Sequence, residues 1–254
     1  MLQAWADYEA ALDAGPAGLE QLTTPRARQF FEAVSTSETG ALLVDNHLSE
    51  ASGRITYLGM HAVAALSTRK VLSILQASSQ HRYDLARHGI SGPNGDSNIA
   101  LLGLFGMEDG QQIEAILGHL KRGDIIDVTN DGLQAPGVRA LVPWLERPYA
   151  VRVFAAQVAI AANARVGLRL LSAVTPQGPR FDVIEVRAPR QGSLWVRSLW
   201  LTQKLARQIR CAHAKGAGGL FLGSAPDVWR PPLRPGNCSP SRHGGTRLRC
   251  RPAC

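Results

Sequence analysis

Hydrophobic and polar positions alternate with two different periods along this chain, and the richest apolar stretch, Tyr149–Arg187, contains both. It opens Tyr-Ala-Val-Arg-Val-Phe, with Val151 and Val153 at strand spacing. Gln157, Arg165, Arg169 and Ser172 then recur at helical spacing on an otherwise apolar background. Tyr149–Val174 is therefore open to strand, to helix, or to one passing into the other. Pro176-Gln-Gly-Pro179 turns the chain. Phe181-Asp-Val-Ile-Glu-Val-Arg187 follows, rich in β-branched and aromatic residues and bounded by Gly-Pro and Ala-Pro, and predicts a strand.

Upstream, Leu2–Ala14 patterns as an amphipathic helix with Trp5, Tyr8 and Leu12 on one side, stopped by Gly15-Pro16. Thr23-Thr24-Pro25 supplies a hydroxyl cap and a proline at the first helical position. It starts a helix that turns Phe30, Phe31 and Val34 inward. Ala41–Val44 and Arg54–Leu58 read as the strands of a hairpin around the polar turn His47–Gly53. Helices are expected over Met60–Gln76 and Arg82–His88, the second ending at Gly89, and over Asn98–Phe105 behind the capping pair Asp96-Ser97. Asp109–Lys121 predicts a helix with Ile113, Ile116, Leu117 and Leu120 inward. Asp124–Val128 predicts a short strand, Asn130-Asp-Gly132 a tight turn, and Val138–Leu145 a further helix. Short strands alternating with helices, without internal repeat, predict a single mixed α/β or α+β body over residues 1–190.

Beyond the body the pattern changes. Ser193–Arg210 is an amphipathic helix: Leu194, Trp195, Leu199, Leu201, Leu205, Ala206 and Ile209 fall on one arc at 100° per residue. Arg197, Lys204, Arg207 and Arg210 fall on the other, with Trp200 among them. Gly216–Cys254 is dense in Gly, Pro, Arg and Ser with almost no periodicity, and is expected to be largely disordered. The chain is thus expected to divide into a body (1–190), a basic helix (191–210) and a tail (211–254).

Charge sharpens that division. Residues 1–190 hold 17 Lys and Arg against 19 Asp and Glu, a net of −2. Residues 191–254 hold 11 bases against the single acid Asp227, a net of +10, which together make the chain's +8. All four cysteines also lie in the last 44 residues. A basic helix followed by an Arg-rich segment is a footprint for phosphate backbones, since cations displace counterions and an indole can stack on a base. Arg197, Trp200, Lys204, Arg207 and Arg210 are the candidate nucleic-acid contacts. The same helix can instead enter a partner's groove or lie on an anionic surface.

Other features bear on compartment and cofactors. Met1–Ala10 carries carboxylates where a signal peptide needs bases and an apolar run. Arg152, Arg165 and Arg169 interrupt the apolar stretch, and each charge at mid-bilayer costs roughly 2.5–3.5 kcal/mol, so no span is expected. The expected compartment is the cytoplasm, where disulfides are disfavoured. Cys211, His213, Cys238, His243, Cys250 and Cys254 could supply ligands for one zinc, although their spacings are C-x-H, C-x4-H and C-x3-C rather than C-x2-C.

Three weaker chemical signals lie in the body. Val71–Leu75 followed by Arg82-Tyr-Asp-Leu-Ala-Arg-His-Gly-Ile-Ser91 resembles the first half of a helix-turn-helix. It is one residue short between Ala86 and Gly89, and has Gly92-Pro-Asn-Gly95 where the second helix would begin. Gly89-x-x-Gly92-x-x-Gly95 could cradle an anion at a following helix, but carries neither a Walker Lys-Ser/Thr nor G-x-G-x-x-G. Asp127, Asp182 and Glu185 are candidate acids for a Mg²⁺-dependent hydrolase, and Glu185-Val-Arg187 resembles an E-x-K nuclease ending with Arg for Lys. The sequence thus points first to a non-catalytic nucleic-acid accessory or regulatory protein. The alternatives are a metal-dependent hydrolase and a protein-interaction module built on the Trp-containing helix.

Overall fold

The computed structural model describes residues 20–45, 66–75, 99–103, 108–129, 138–144, 147–175 and 178–214, with isolated positions 10, 18 and 63. Its centre is strand β1 (Ala41–Asp45). On one side β1 pairs in parallel with β4 (Ile125–Thr129), Ala41 opposite Ile125; on the other it pairs in parallel with β7 (Arg165–Thr175), Ala41 opposite Arg165. Both edges are therefore taken, and the expected hairpin of β1 with Arg54–Leu58 does not form. Residues 54–58 themselves lie outside the described residues. The six-stranded sheet runs β3-β2-β4-β1-β7-β8, with β2 (Val71–Leu75), β3 (Ile99–Gly103) and β8 (Gly178–Glu185). All neighbours are parallel except β8, which runs antiparallel to β7. The α/β or α+β class expected from the alternating pattern holds.

Parallel strands covered on both faces read as short apolar runs, and here the runs VLSIL, IALLG and IIDVT fill that role. The helices expected over Met60–Gln76 and Asn98–Phe105 are overturned on this point: Val71–Leu75 and Ile99–Gly103 are strands. Val63 and Leu66 are helical, and the helix yields to strand across Ser67–Lys70. Val138–Leu145 is likewise not helix but β5 (Arg139–Trp144), the first arm of an antiparallel hairpin with β6 (Arg147–Arg152). Alternating Ala140 and Val142 are buried while Leu141 is exposed, the period of a strand. The ambiguous Tyr149–Val174 is strand, helix and strand in turn: β6, then α3 (Phe154–Ala161), then β7. Asn163, at φ 51°, makes the left-handed step that ends α3 and lets the chain re-enter the sheet.

Two apolar layers clasp the sheet. Helix α1 (Pro25–Ser35) begins as expected, with Thr24 Oγ1 accepting from the Ala27 amide at 3.2 Å and Pro25 at the first position. Its Phe30, Phe31 and Val34 pack with Ala41, Leu43, Val71, Ile125 and Val183 on one face. Gly167 permits this contact: a Cβ there would come within 2.9 Å of Val183, Phe30 and Leu43 side chains. The opposite face carries α2 (Asp109–Lys121), α3 and α4 (Leu194–Ala214) against Leu42, Val44, Ile126, Val166 and Leu168. Ile116 and Leu120 of α2 are fully buried as expected, but Ile113 is exposed. At the amino ends of the strands Arg69 ties the layers, donating to the carbonyls of Gly123 (2.8 Å), Ser35 (3.2 Å) and Ser37.

Apart from Ala10, which is helical, the expected helix at Leu2–Ala14, the segment Arg82–Ser91, the loop His88–Ser97, the turn at Asn130–Gly132 and the tail Gly216–Cys254 lie outside the described residues. No helix among the described residues is long and apolar enough to cross a membrane.

Candidate functional site

The three candidate acids stand on two strands that are not neighbours. Asp127 of β4 is in register with Leu43 of β1, Leu43 with Gly167 of β7, and Gly167 with Glu185 of β8. Asp127 and Glu185 therefore share a face but stand three strand spacings apart, about 14 Å at ~4.8 Å each. Asp182, three residues from Glu185 on one strand, projects to the opposite face. A divalent ion bound at 2.0–2.6 Å cannot collect carboxylates so placed.

Each acid is instead engaged by arginine. Arg169 of β7 reaches across β1 to Asp127 at 3.1 Å, with both side chains nearly fully buried (3% and 4% exposed). Glu185 lies between Arg165 (2.5 Å) and Arg187 (3.2 Å); the partner supplied by Glu185-Val-Arg187 is thus a surface ion pair. Asp182 accepts from Arg26 and, at 2.7 Å, from Thr24 Oγ1, the hydroxyl that caps α1. Burial pushes the Asp182 carboxyl up. Hydrogen bonds from Arg26, Thr24 and the Val183 amide, together with the Arg26 charge, outweigh that and hold it below the usual carboxylate range.

Two polar groupings in the fold bring in partners that the sequence pattern does not link, one of them around the candidate acid Asp127. Ser73 and Asp127, neighbours across β2 and β4, sit buried with Arg169 on the α1 face. Their signal was available: each is a lone polar residue inside an apolar strand. At the far end, His119 Nδ1 lies 2.7 Å from Asp124 and 2.9 Å from Arg122, joining the end of α2 to β4.

The cysteine and histidine candidates are divided. Cys211 is half-buried on α4, and His213 stands two residues on, a spacing that puts the two positions on different sides of a helix. Cys238, His243, Cys250 and Cys254 lie outside the described residues. Among the described residues no three of His, Cys, Asp and Glu converge to hold a metal.

The basic helix is confirmed as a helix, and one of its faces is core. Ser198, Leu201, Thr202, Leu205, Ala206 and Ile209 are buried, with Leu201, Leu205 and Ile209 in the same cluster as β1 and α3. Ala206 also packs on Val142 and Val151 of the hairpin. Leu194 and Trp195, expected inward, are 46% and 42% exposed, because every residue of Arg190–Val196 stands clear of the body. Of the candidate contacts, Arg197 is half-buried and donates to the Pro189 carbonyl at 2.8 Å, fixing the approach to α4. Trp200 is exposed, and Lys204 Nζ stands 4.5 Å from the centre of its ring, a cation–π contact. Arg207 is exposed and Arg210 half-buried. Val186–Ala214 contains six Lys and Arg and no Asp or Glu.

No protein-family model matches the chain, and no curated protein matches it as a relative.

Proposed function

We propose that the protein binds nucleic acid without a covalent reaction, as an accessory or regulatory factor, by laying the outer stripe of α4 along the phosphate backbone. The observation that carries this is the row Trp200, Lys204, Arg207 at i, i+4 and i+7: an exposed indole, an ammonium stacked on it and an exposed guanidinium. The row lies in a stretch of chain free of acids. Cations on such a stripe release counterions from phosphates, and the indole offers a base a face to stack on. The engagement of Asp127, Asp182 and Glu185 by arginines leaves the hydrolase alternative with less support. The exposed Leu194, Trp195 and Val196 favour a second reading, in which the same helix docks a partner protein.

The test uses the whole chain, because α4 supplies core residues. Fluorescence anisotropy of labelled DNA and RNA oligonucleotides is followed across a salt series for the native protein and for Lys204→Gln/Arg207→Gln. The double variant is expected to melt like the native chain and to bind about tenfold or more weakly. Its log–log salt slope should be shallower by roughly 1.4–1.8, at about 0.7–0.9 per lost phosphate contact. Absent or salt-independent binding, or unchanged affinity in the double variant, overturns the reading.

A further inference from the structure

Resting on that reading, we infer that the nucleic acid taken by α4 is single-stranded, held by base stacking on its exposed indoles rather than read as a duplex. The first reason is how the helix is seated. A recognition helix enters a major groove about 12 Å wide and 8.5 Å deep by standing proud of its domain. Helix α4 from Ser198 onward instead buries Ser198, Leu201, Thr202, Leu205, Ala206 and Ile209 against the sheet, α3 and the β5–β6 hairpin. Only a shallow stripe faces outward along that length.

The second reason is what that stripe displays. On that stripe Trp200 is 41% exposed; Trp195, 42% exposed, stands five residues earlier in the projecting first turn, about 7.5 Å along the axis and about 140° around it. Exposed ring faces gain nothing from a duplex, whose bases are already stacked. An unpaired strand offers a π-face at every nucleotide. Lys204 over Trp200 holds that ring in place and brings a cation beside it, and Arg207 continues the cationic row. Exposed Leu194 and Val196 add apolar contact at the projecting first turn. Stacking platforms beside a cation track are the arrangement that binds single strands with little sequence preference.

The deciding experiment compares labelled oligo-dT with a duplex of equal length, in anisotropy and in tryptophan-fluorescence quenching, for the native chain, Trp200→Ala, Trp195→Ala and Trp200→Phe. Oligo-dT is expected to bind about tenfold or more tightly than duplex and to quench the indoles. Trp200→Ala and Trp195→Ala should each weaken oligo-dT binding roughly five- to hundredfold, with the salt slope unchanged. Trp200→Phe should restore most of the Trp200→Ala loss, which a merely structural role of the exposed ring would not require. Equal affinity for both oligonucleotides, or indifference to the alanine variants, overturns the single-strand inference while leaving the nucleic-acid reading standing. Binding to neither oligonucleotide sinks both. Vesicles of phosphatidylglycerol and phosphatidylcholine run in parallel; binding to these alone would assign the indoles to a lipid surface.

Discussion

Asp182 joins two elements through one carboxylate: it sits on β8, accepts the hydroxyl that caps α1, and accepts Arg26 from the first turn of α1. Arg26 is more than half exposed, so its pairing is screened, while Asp182 is 9% exposed and depends on its partners. The sign of its pH effect follows from its depressed value. An unfolded Asp titrates near 3.9. As pH falls below that, the unfolded chain takes up the proton first, and stability from this site is lost through the lower folded value. Asp182→Asn is expected to cost about 1–2 kcal/mol at neutral pH and to flatten the acid limb of a Tm-against-pH curve. An unchanged acid limb would show that the group makes no such contribution. As a sequence position Asp182 looked like a candidate acid; only its neighbours show it to be an anchor. Asp127 illustrates the same point from the interior. Its partner Arg169 lies 42 residues away, and no local pattern links them.

Among elements, α4 was the most legible and also the most altered in meaning. Its helical period, its basic arc and its buried Leu201, Leu205 and Ile209 follow directly from spacing. Spacing assigns faces but not how far a neighbour extends, so Leu194 and Trp195 were placed inward although the body ends before them. Leu205→Ala is expected to destabilise the whole chain by about 2–4 kcal/mol in urea unfolding. A negligible change would mean that α4 is docked rather than integral. The strands β2, β3 and β5 were misread for a different reason. Four to six apolar residues satisfy a buried strand and a buried helical turn equally well, and periodicity cannot separate them without flanking signals. Where such signals were strong, as at Thr24-Pro25 for α1, element and position agreed with expectation; β8 was expected as a strand at Phe181–Arg187 but begins at Gly178, taking in the Gly-Pro read as its boundary.

At the scale of the molecule, the composition break near residue 190 coincides with a change in charge but not with the edge of the core. A chain ending at Arg190 loses Leu201, Leu205 and Ile209, and should show no cooperative melt. A chain ending at Ala214 keeps every described core residue and should melt close to the full chain by circular dichroism. A cooperative melt of the shorter chain would place α4 outside the folding unit. By itself the sequence determined the mixed class, the helices α1, α2 and α4 and the concentration of positive charge toward one end, because these depend on local periodicity and on counting. Tertiary structure alone decided that β1 lies between β4 and β7, that the acids are tied to arginines, and how much of α4 the body covers. These depend on contacts between residues far apart in the chain, formed by closing the sheet and burying both its faces, and no local pattern encodes that partnership.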